Sequence, residues 1–458
     1  MRHDEDTVTG SGRAGVLASF RGMRFGVVGL AFLAVLLDGF DSASLSFVLP
    51  SLAEQWGIAS ADFTPAVVLT NIGVVVGYLA SGRLAVRLGL RRMLIAGTVL
   101  FGVGSLATAL VLPLQSLTAL STVRLVTGLG LGVVLPGAVS LATAHHPDRQ
   151  RQSVSVTVTL GLAFGGTVAG VFGSSMLASV GATGVFWIGG ALPLLLAVVM
   201  GRWLPAAPAP VAADGTVAAS DTVAASGADS SAAAAREARV GALFAPGLRA
   251  ATVLLWIFAF LVFIASYTLQ SWVPTLLTGY GFSASQAPIG LAFLSFGGVV
   301  GGIVLLLLSA RRGIRFALMV MPVIGAVSMV AAATVGTDHT ALLLALAGSG
   351  AGVTASQIGQ LTLAVAMYPA ATRTAGVGWA AALGRVGSIV GPATAGVLLA
   401  LSLPGDDIVL LTAIPVVVAA VSAAVLWRLP HAADRTDGAA DTERKEREER
   451  EEREVTAR

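Results

Sequence analysis

The stretch GRLAVRLGLRRML, residues 82–94, recurs in altered form in the second half of the chain as LLLSARRGIRFAL, residues 306–318. Each stretch follows a hydrophobic segment that contains glycine, and each places Arg, Gly and Arg at the same spacing. An internal repeat of this kind predicts two structurally related halves. The corresponding residues are Arg87, Gly89 and Arg91 in the first stretch and Arg311, Gly313 and Arg315 in the second.

The composition is that of a membrane protein with many spans. Of 458 residues, 55% are hydrophobic and only 12% are charged, whereas a soluble chain carries about 25% charge. The 55 glycines are typical of helices that pack closely in lipid. The absence of cysteine excludes disulfides, thiol catalysis and thiolate metal sites.

Twelve segments are long and apolar enough to span a bilayer, which takes about 20 residues. Two parallel six-helix repeats are the architecture of major facilitator transporters, whose substrate sites lie between the halves. We therefore predict an all-α integral membrane protein with twelve transmembrane helices in two pseudo-symmetric halves, the major facilitator fold. The segments are 25–50, 65–85, 93–113, 117–144, 153–178, 184–204, 250–277, 287–309, 316–336, 340–367, 375–402 and 408–428.

Arginine placement predicts the orientation. The connections on one side of the predicted bundle carry arginine, whereas alternate connections such as SLAEQWGIASADF carry neither Arg nor Lys. By the positive-inside rule, we predict a multi-pass protein of the cytoplasmic membrane with both termini cytoplasmic. Its predicted parts are an N-terminal segment (1–24), a first half (25–204), a flexible Ala/Ser/Pro-rich linker (205–247), a second half (248–429) and a charged tail (430–458).

Four ionisable residues lie well inside the predicted spans: Asp38, Asp41, Arg124 and Arg385. At about 1.5 Å per residue, Arg124 reaches the depth of Asp41, and Arg385 lies closer to the depth of Asp38. Opposite charges at one depth can pair and lower each other's cost of burial. Three residues apart, Asp38 and Asp41 share a helix face and are predicted to line one cavity. The alternative is that these charges only tie helices together.

The aspartates are the acidic candidates for carrying a proton. Burial disfavours a charged carboxylate and a nearby arginine favours it, so a change of conformation can load a proton on one side and release it on the other. An arginine in the same cavity would bind an anionic substrate, because guanidinium matches carboxylate with two hydrogen bonds. Tyr267 and Trp272 could form an aromatic wall, although packing is an equally supported role for Trp272.

These motifs together resemble the aromatic acid:proton symporter family of the major facilitator superfamily, over nearly all of both halves. DGFD (38–41) is similar to that family's DGxD signature, and RLVTGLGLG (124–132) to its R-x-x-T-G-x-G-x-G stretch. SWVPTLL (271–277) and YPAATRTAGVGWAAALGRVGSIVGP (368–392) resemble its seventh-span and tenth-to-eleventh-span segments, and Gln357 falls where the family has a glutamine. The resemblance implies proton-coupled uptake of benzoate-like acids.

The resemblance also implies a gating motif, from which this chain departs. An acidic residue is usual where this chain has Val86 and, in the second half, Ala310; a glutamate is usual where it has Ala144. We therefore expect a weakened closure on the cytoplasmic side. The predicted gating residues are Gly82, Arg87, Gly89, Arg91, Arg311 and Arg373.

From these observations we predict a secondary transporter that imports a small aromatic carboxylate with protons. We expect Asp38 and Asp41 to couple protons, and the substrate to contact Arg124, Arg385, Gln357, Trp272 and Tyr267. No enzyme activity, cofactor or nucleic-acid partner is expected; the energy would come from a proton gradient, and the functional unit would be a monomer in the bilayer. Two alternatives stay open: a proton-driven exporter of aromatic or drug-like compounds, and a transporter-like sensor.

Overall fold

The computed structural model describes residues 25–205, 241, 243–245, 247–336, 338–368 and 370–429. Within them the chain forms long helices joined by short connections. They are α1 (Phe25–Trp56), α2 (Thr64–Leu88), α3 (Leu90–Val111), α4 (Leu117–Ala144), the merged pair α5–α6 (Asp148–Trp203), α7 (Arg249–Gly279), α8 (Ile289–Arg312), α9 (Ile314–Thr334), α10 (His339–Met367), α11 (Ala370–Ala400) and α12 (Gly405–Arg428). One-turn 3₁₀ helices span Ser60–Phe63 and Leu112–Leu114.

The run Asp148–Trp203 is two helices rather than one. Its backbone leaves the helical region at Gly181, where φ is 67° and ψ is 179°, a conformation that favours glycine. The apolar part, Ser153–Trp203, has 51 residues and would extend about 77 Å as one helix, more than twice the hydrocarbon thickness. We therefore name the arms α5 (148–180) and α6 (182–203).

Eleven helices in the described residues are long and apolar enough to cross a membrane, if the merged run is taken as one. Dividing it at Gly181 gives the twelve spans that the sequence predicts. The boundaries differ by a few residues; α1, for example, continues beyond Pro50 to Trp56. The predicted N-terminal segment (1–24), the charged tail (430–458) and most of the linker (205–247) lie outside the described residues.

The two halves meet through helix pairs that are related by the internal repeat. Contact is concentrated between α1 and α7, between α2 and α11, and between α5 and α8. The repeat relates α1 to α7, and it relates the pair α2–α11 to the pair α8–α5. The repeat also relates α4 to α10. In the part of the chain that the structure describes, these two helices make much less contact with each other than the three pairs above.

The interface is closed at one end of the bundle. We name this the arginine-free end, where α1 ends and α2 begins; the arginine-rich end is the opposite one, where α2 ends and α3 begins. At the arginine-free end, Gly396 of α11 lies against Thr64, and Gly173 of α5 lies against Pro288. Nearer the middle, Gly170 meets the backbone of Ala292. These contacts close the interface at the arginine-free end, and α4 does not pack closely against α10 in the described residues.

Arginines of the repeated stretch connect helices within each half. Arg91, at the start of α3, donates a hydrogen bond to the carbonyl of Gly201 in the last turn of α6. Arg315, at the start of α9, donates to the carbonyl of Leu429, which follows α12, at 3.0 Å. The last carbonyls of a helix lack partners within it, and a cation there is favourable. The repeat thus preserves a capping contact in both halves.

Candidate functional site

The first part of the site is an ion pair inside the first half. Arg124 Nη1 of α4 lies 3.1 Å from Asp41 Oδ2 of α1, and both side chains are fully buried. The Nε of Arg124 donates to the Thr70 hydroxyl of α2 at 3.4 Å, and its guanidinium lies 5.8 Å from the ring centre of Phe186. The depth estimate predicts this pairing. The side chain of Arg124 is completely buried within the first half.

The second part of the site lies between the halves and centres on Arg385 of α11. Its Nη1 donates to the hydroxyl of Tyr267 on α7 at 3.0 Å. Its guanidinium lies over the ring of Tyr78 on α2, 4.4 Å from the centroid, and 5.9 Å from the ring centre of Phe263. A partly buried arginine is thus surrounded by aromatic rings from both halves.

Asp38 connects the two parts. Its side chain is 5% exposed, and it accepts a hydrogen bond from Ser42 of the same helix at 3.3 Å. It lies close enough to Asp41 and Arg385 to interact with both electrostatically. The ion pair of Arg124 and Asp41 is the only one among the described residues, so Asp38 and Arg385 interact at longer range.

Glycines let the helices that carry these residues approach closely. A Cβ on Gly39, between the aspartates of DGFD, would meet the backbone of Leu162 on α5. A Cβ on Gly387, two residues after Arg385, would meet the carbonyl of Phe260 on α7. Glycine is therefore required on the packed face of α1 and of α11, beside the residues that present charge to the bundle interior.

Polar side chains of α7 and α10 form a short hydrogen-bonded chain in the second half. Ser266 donates to Gln357 Oε1 at 2.6 Å, and Gln270 donates from Nε2 to the Ser266 hydroxyl at 2.9 Å. Ser266 and Gln270 lie three residues after Phe263 and Tyr267, respectively, so they share a face of α7 with these rings. Trp272 is fully buried and donates to the Pro392 carbonyl at 3.0 Å, an arrangement that favours its packing role in this conformation.

The predicted gating residues lie at the arginine-rich end. Arg87 and Arg311 are exposed, as are Val86 and Ala310 at the positions of the missing acids. Gly82 lies within α2, and Gly89 separates α2 from α3 with φ 79° and ψ 152°; Gly313 repeats this geometry with φ 83° and ψ 157°. Arg91 has the capping contact described above. The backbone of Arg373 lies in α11, and its side chain lies outside the described part of the chain.

Sequence reasoning missed two aromatic residues of the site, Tyr78 and Phe263. Tyr78 is one of only four tyrosines in the chain, and a tyrosine in the middle of a span is a signal that would have found it. Phe263 precedes Tyr267 by one helical turn, and the two rings stack with centroids 5.8 Å apart. No group of three or more His or acidic residues that could hold a metal ion occurs in the described ranges.

The fold and the site define a class: a polytopic membrane transporter with two six-helix halves and charged residues buried between and within them. The sequence profile of the Major Facilitator Superfamily matches residues 31–392. The structure is similar to the inward open xylose transporter of E. coli, with a TM-score of 0.68 and 16% identity, over 89% of this chain and 96% of that one.

Curated relatives narrow the family further. The 4-hydroxybenzoate transporter of Pseudomonas aeruginosa is 33% identical over 88% of this chain and 92% of its own length. The 3-(3-hydroxy-phenyl)propionate transporter of Escherichia coli is 32% identical over 82% and 87%, respectively. The gallate transporter of Pseudomonas putida is 28% identical over 86% and 89%. The chain therefore belongs to the major facilitator superfamily and, within it, to the aromatic acid transporters.

Proposed function

We propose that this protein imports a small aromatic carboxylate together with protons across the cytoplasmic membrane by alternating access. The observation that carries the proposal is the position of Arg385 between the halves, with its guanidinium against Tyr78, Tyr267 and Phe263. A guanidinium supplies paired donors for a carboxylate, and the neighbouring rings suit a benzene ring. The substrates in the names of the relatives support the same class of ligand.

Asp38 supplies the second requirement, a carboxylate that can exchange a proton within reach of the substrate. It belongs to the first half, and Arg385 belongs to the second. A movement of the halves relative to each other changes the separation of these two charges. Such a change alters the proton affinity of Asp38 between the two access states, which is the condition for coupling the proton to the substrate.

The ring substituents of the substrate would contact the hydrogen-bonded chain of Ser266, Gln270 and Gln357. Amide groups donate and accept hydrogen bonds, so this chain is suited to hydroxyl groups on the ring. We therefore propose hydroxylated benzoates in preference to unsubstituted benzoate. By the positive-inside rule we propose that the arginine-rich end faces the cytoplasm, so that closure at the opposite end corresponds to an inward-open state. We further propose that the functional unit is a single chain.

A counterflow screen in proteoliposomes tests this function. Vesicles loaded with unlabelled 4-hydroxybenzoate are given external labelled 4-hydroxybenzoate, with benzoate, protocatechuate, gentisate and vanillate as competitors. We expect transient accumulation of label, stronger competition by hydroxylated acids, and no competition by the amide of 4-hydroxybenzoate. If the amide bound as tightly as the acid, a carboxylate contact with Arg385 would not be the basis of recognition. Vesicles without protein provide the control for passive permeation.

A further inference from the structure

We propose that the two aspartates of DGFD have separate roles. Asp38 binds and releases the transported proton, whereas Asp41 and Arg124 act as a positioning pair that holds α1 against α4. The proposal rests on the proposed function for the direction and substrate of transport. The assignment of the proton to Asp38 rather than Asp41 rests on the geometry of the two carboxylates.

Asp41 already has a counter-charge within its own half of the molecule. Its Oδ2 lies 3.1 Å from Arg124 Nη1, and neither side chain is exposed. A proton on Asp41 would leave a buried guanidinium without a counter-charge, which is strongly unfavourable. All partners of the pair belong to the first half: Thr70 on α2 and Phe186 on α6. A rigid movement of one half against the other leaves this pair intact and gives it no reason to release or bind a proton.

Asp38 has the opposite environment. Its one hydrogen bond in the described residues is from Ser42, on its own helix, at 3.3 Å. The charged groups that bear on it are Asp41, one turn along α1, and Arg385, from α11 in the other half. Tyr78 and Tyr267 contact Arg385. Asp38 has no ion-pair partner in the described part of the chain that would stabilise its charged form.

Substrate and proton then favour each other at this site. When a substrate carboxylate binds Arg385, it offsets the positive charge that stabilises ionised Asp38. Protonation of Asp38 becomes easier and removes a negative charge that repels the incoming anion. Linkage requires the reverse effect to be equal, so substrate affinity rises as pH falls. Asp41 takes no part in this exchange, because its charge is matched by Arg124 in both conditions.

Four variants separate the two roles: Asp38→Asn, Asp41→Asn, Arg124→Gln and the double variant Asp41→Asn/Arg124→Gln. Each is purified, tested for thermal unfolding, and reconstituted for counterflow and for accumulation driven by an outside-acid gradient. Asp38→Asn should unfold near the wild-type temperature, retain counterflow and lose accumulation. Both single variants of the pair should unfold at lower temperature and lose both activities. The double variant should regain stability and accumulation relative to either single variant.

Infrared difference spectra between acid and neutral pH supply a readout that needs no substrate. Because other carboxyl groups also protonate at acid pH, we expect one component of the protonated-carboxyl band to be lost in Asp38→Asn and kept in the double variant. The proposal is overturned if that component persists in Asp38→Asn, or if the double variant exchanges substrate without accumulating it. If the double variant does not fold, the spectrum of Asp38→Asn still decides. If wild type carries none of the tested acids, the substrate assignment fails, while the spectra still test the division of roles.

Discussion

Two arginines at the centre of this molecule have different surroundings. Arg124 is enclosed within the first half, with Asp41 as its counter-charge. Arg385 lies between the halves, and its partners among the described residues are aromatic: the Tyr267 hydroxyl at 3.0 Å and the Tyr78 ring at 4.4 Å. Arg385 has no carboxylate partner among the described residues, whereas Arg124 is paired with Asp41. We therefore expect the substrate carboxylate to contact Arg385 rather than Arg124.

Replacing each arginine by lysine separates these roles. Lysine keeps the charge and loses the planar fork, so Arg385→Lys should weaken the carboxylate contact. The loss of a charge-assisted hydrogen bond costs about 1.5–3 kcal/mol, or roughly ten- to hundredfold in affinity. The matched variant Arg124→Lys should lower the unfolding temperature and leave affinity close to that of wild type. Competition counterflow measures both; an affinity loss confined to Arg124→Lys would reverse the assignment.

Sequence reasoning identified the buried charges and their pairing by depth, since charge within an apolar span is visible in the residues themselves. It did not distinguish the surroundings of Arg124 from those of Arg385, because these depend on which helices face the interface between the halves. Tyr78 was missed for the same reason: its ring meets Arg385 from the other half of the molecule. For Trp272 the sequence leaves a substrate contact and a packing role open, because its burial and its hydrogen bond to Pro392 depend on packing that no motif reveals.

At the scale of helices, the repeated stretch makes structural contacts in addition to its expected role in gating. Arg91 caps the end of α6, and Arg315 caps the end of α12. Both contacts join helices of one half, so they persist when the halves move. The sequence predicted a pseudo-symmetric repeat from the spacing of arginine and glycine, but the carbonyl partners lie more than a hundred residues away along the chain and required the fold.

Neutralising Arg91 tests the capping role against its neighbour. Arg91→Gln should reduce the free energy of unfolding by about 0.3–2 kcal/mol, the range for a cation at an exposed to partly buried helix C-terminus. Arg92→Gln is the matched control, because Arg92 is exposed, and exposed substitutions change stability by about 0.5 kcal/mol or less. Thermal unfolding in detergent distinguishes the two variants. Equal unfolding temperatures would show that the contact between α3 and α6 adds nothing to stability.

At the scale of the whole molecule, closure at the arginine-free end coincides with the loss of acidic partners at the arginine-rich end. Arg87 and Arg311 are exposed, and the described residues provide neither with an ion pair. The inward-open and outward-open states of a transporter differ in free energy by a few kcal/mol. The absence of ion pairs at one end therefore changes the relative populations of the two states. We expect the missing ion pairs to favour the state in which the interface is closed where Thr64 meets Gly396.

Restoring the acids should shift the balance. We expect Val86→Asp with Ala144→Glu to favour closure at the arginine-rich end and opening at the arginine-free end. A cysteine in place of Thr64, in a chain with no native cysteine, should react slowly with an impermeant thiol reagent and faster in the acid-restored background. A cysteine in place of exposed Asp62 should react equally in both. Unchanged reactivity at position 64 would mean that these acids do not control the gate.

Gradient-driven accumulation tests the central claim, import coupled to protons through Asp38, most directly. Vesicles containing wild type or Asp38→Asn, and vesicles without protein, are diluted into acidic buffer with labelled 4-hydroxybenzoate, with or without a protonophore. We expect that only wild type accumulates label above the level of protein-free vesicles, and that the protonophore abolishes this excess. Equal accumulation by Asp38→Asn, or an excess in wild type that survives the protonophore, would contradict it.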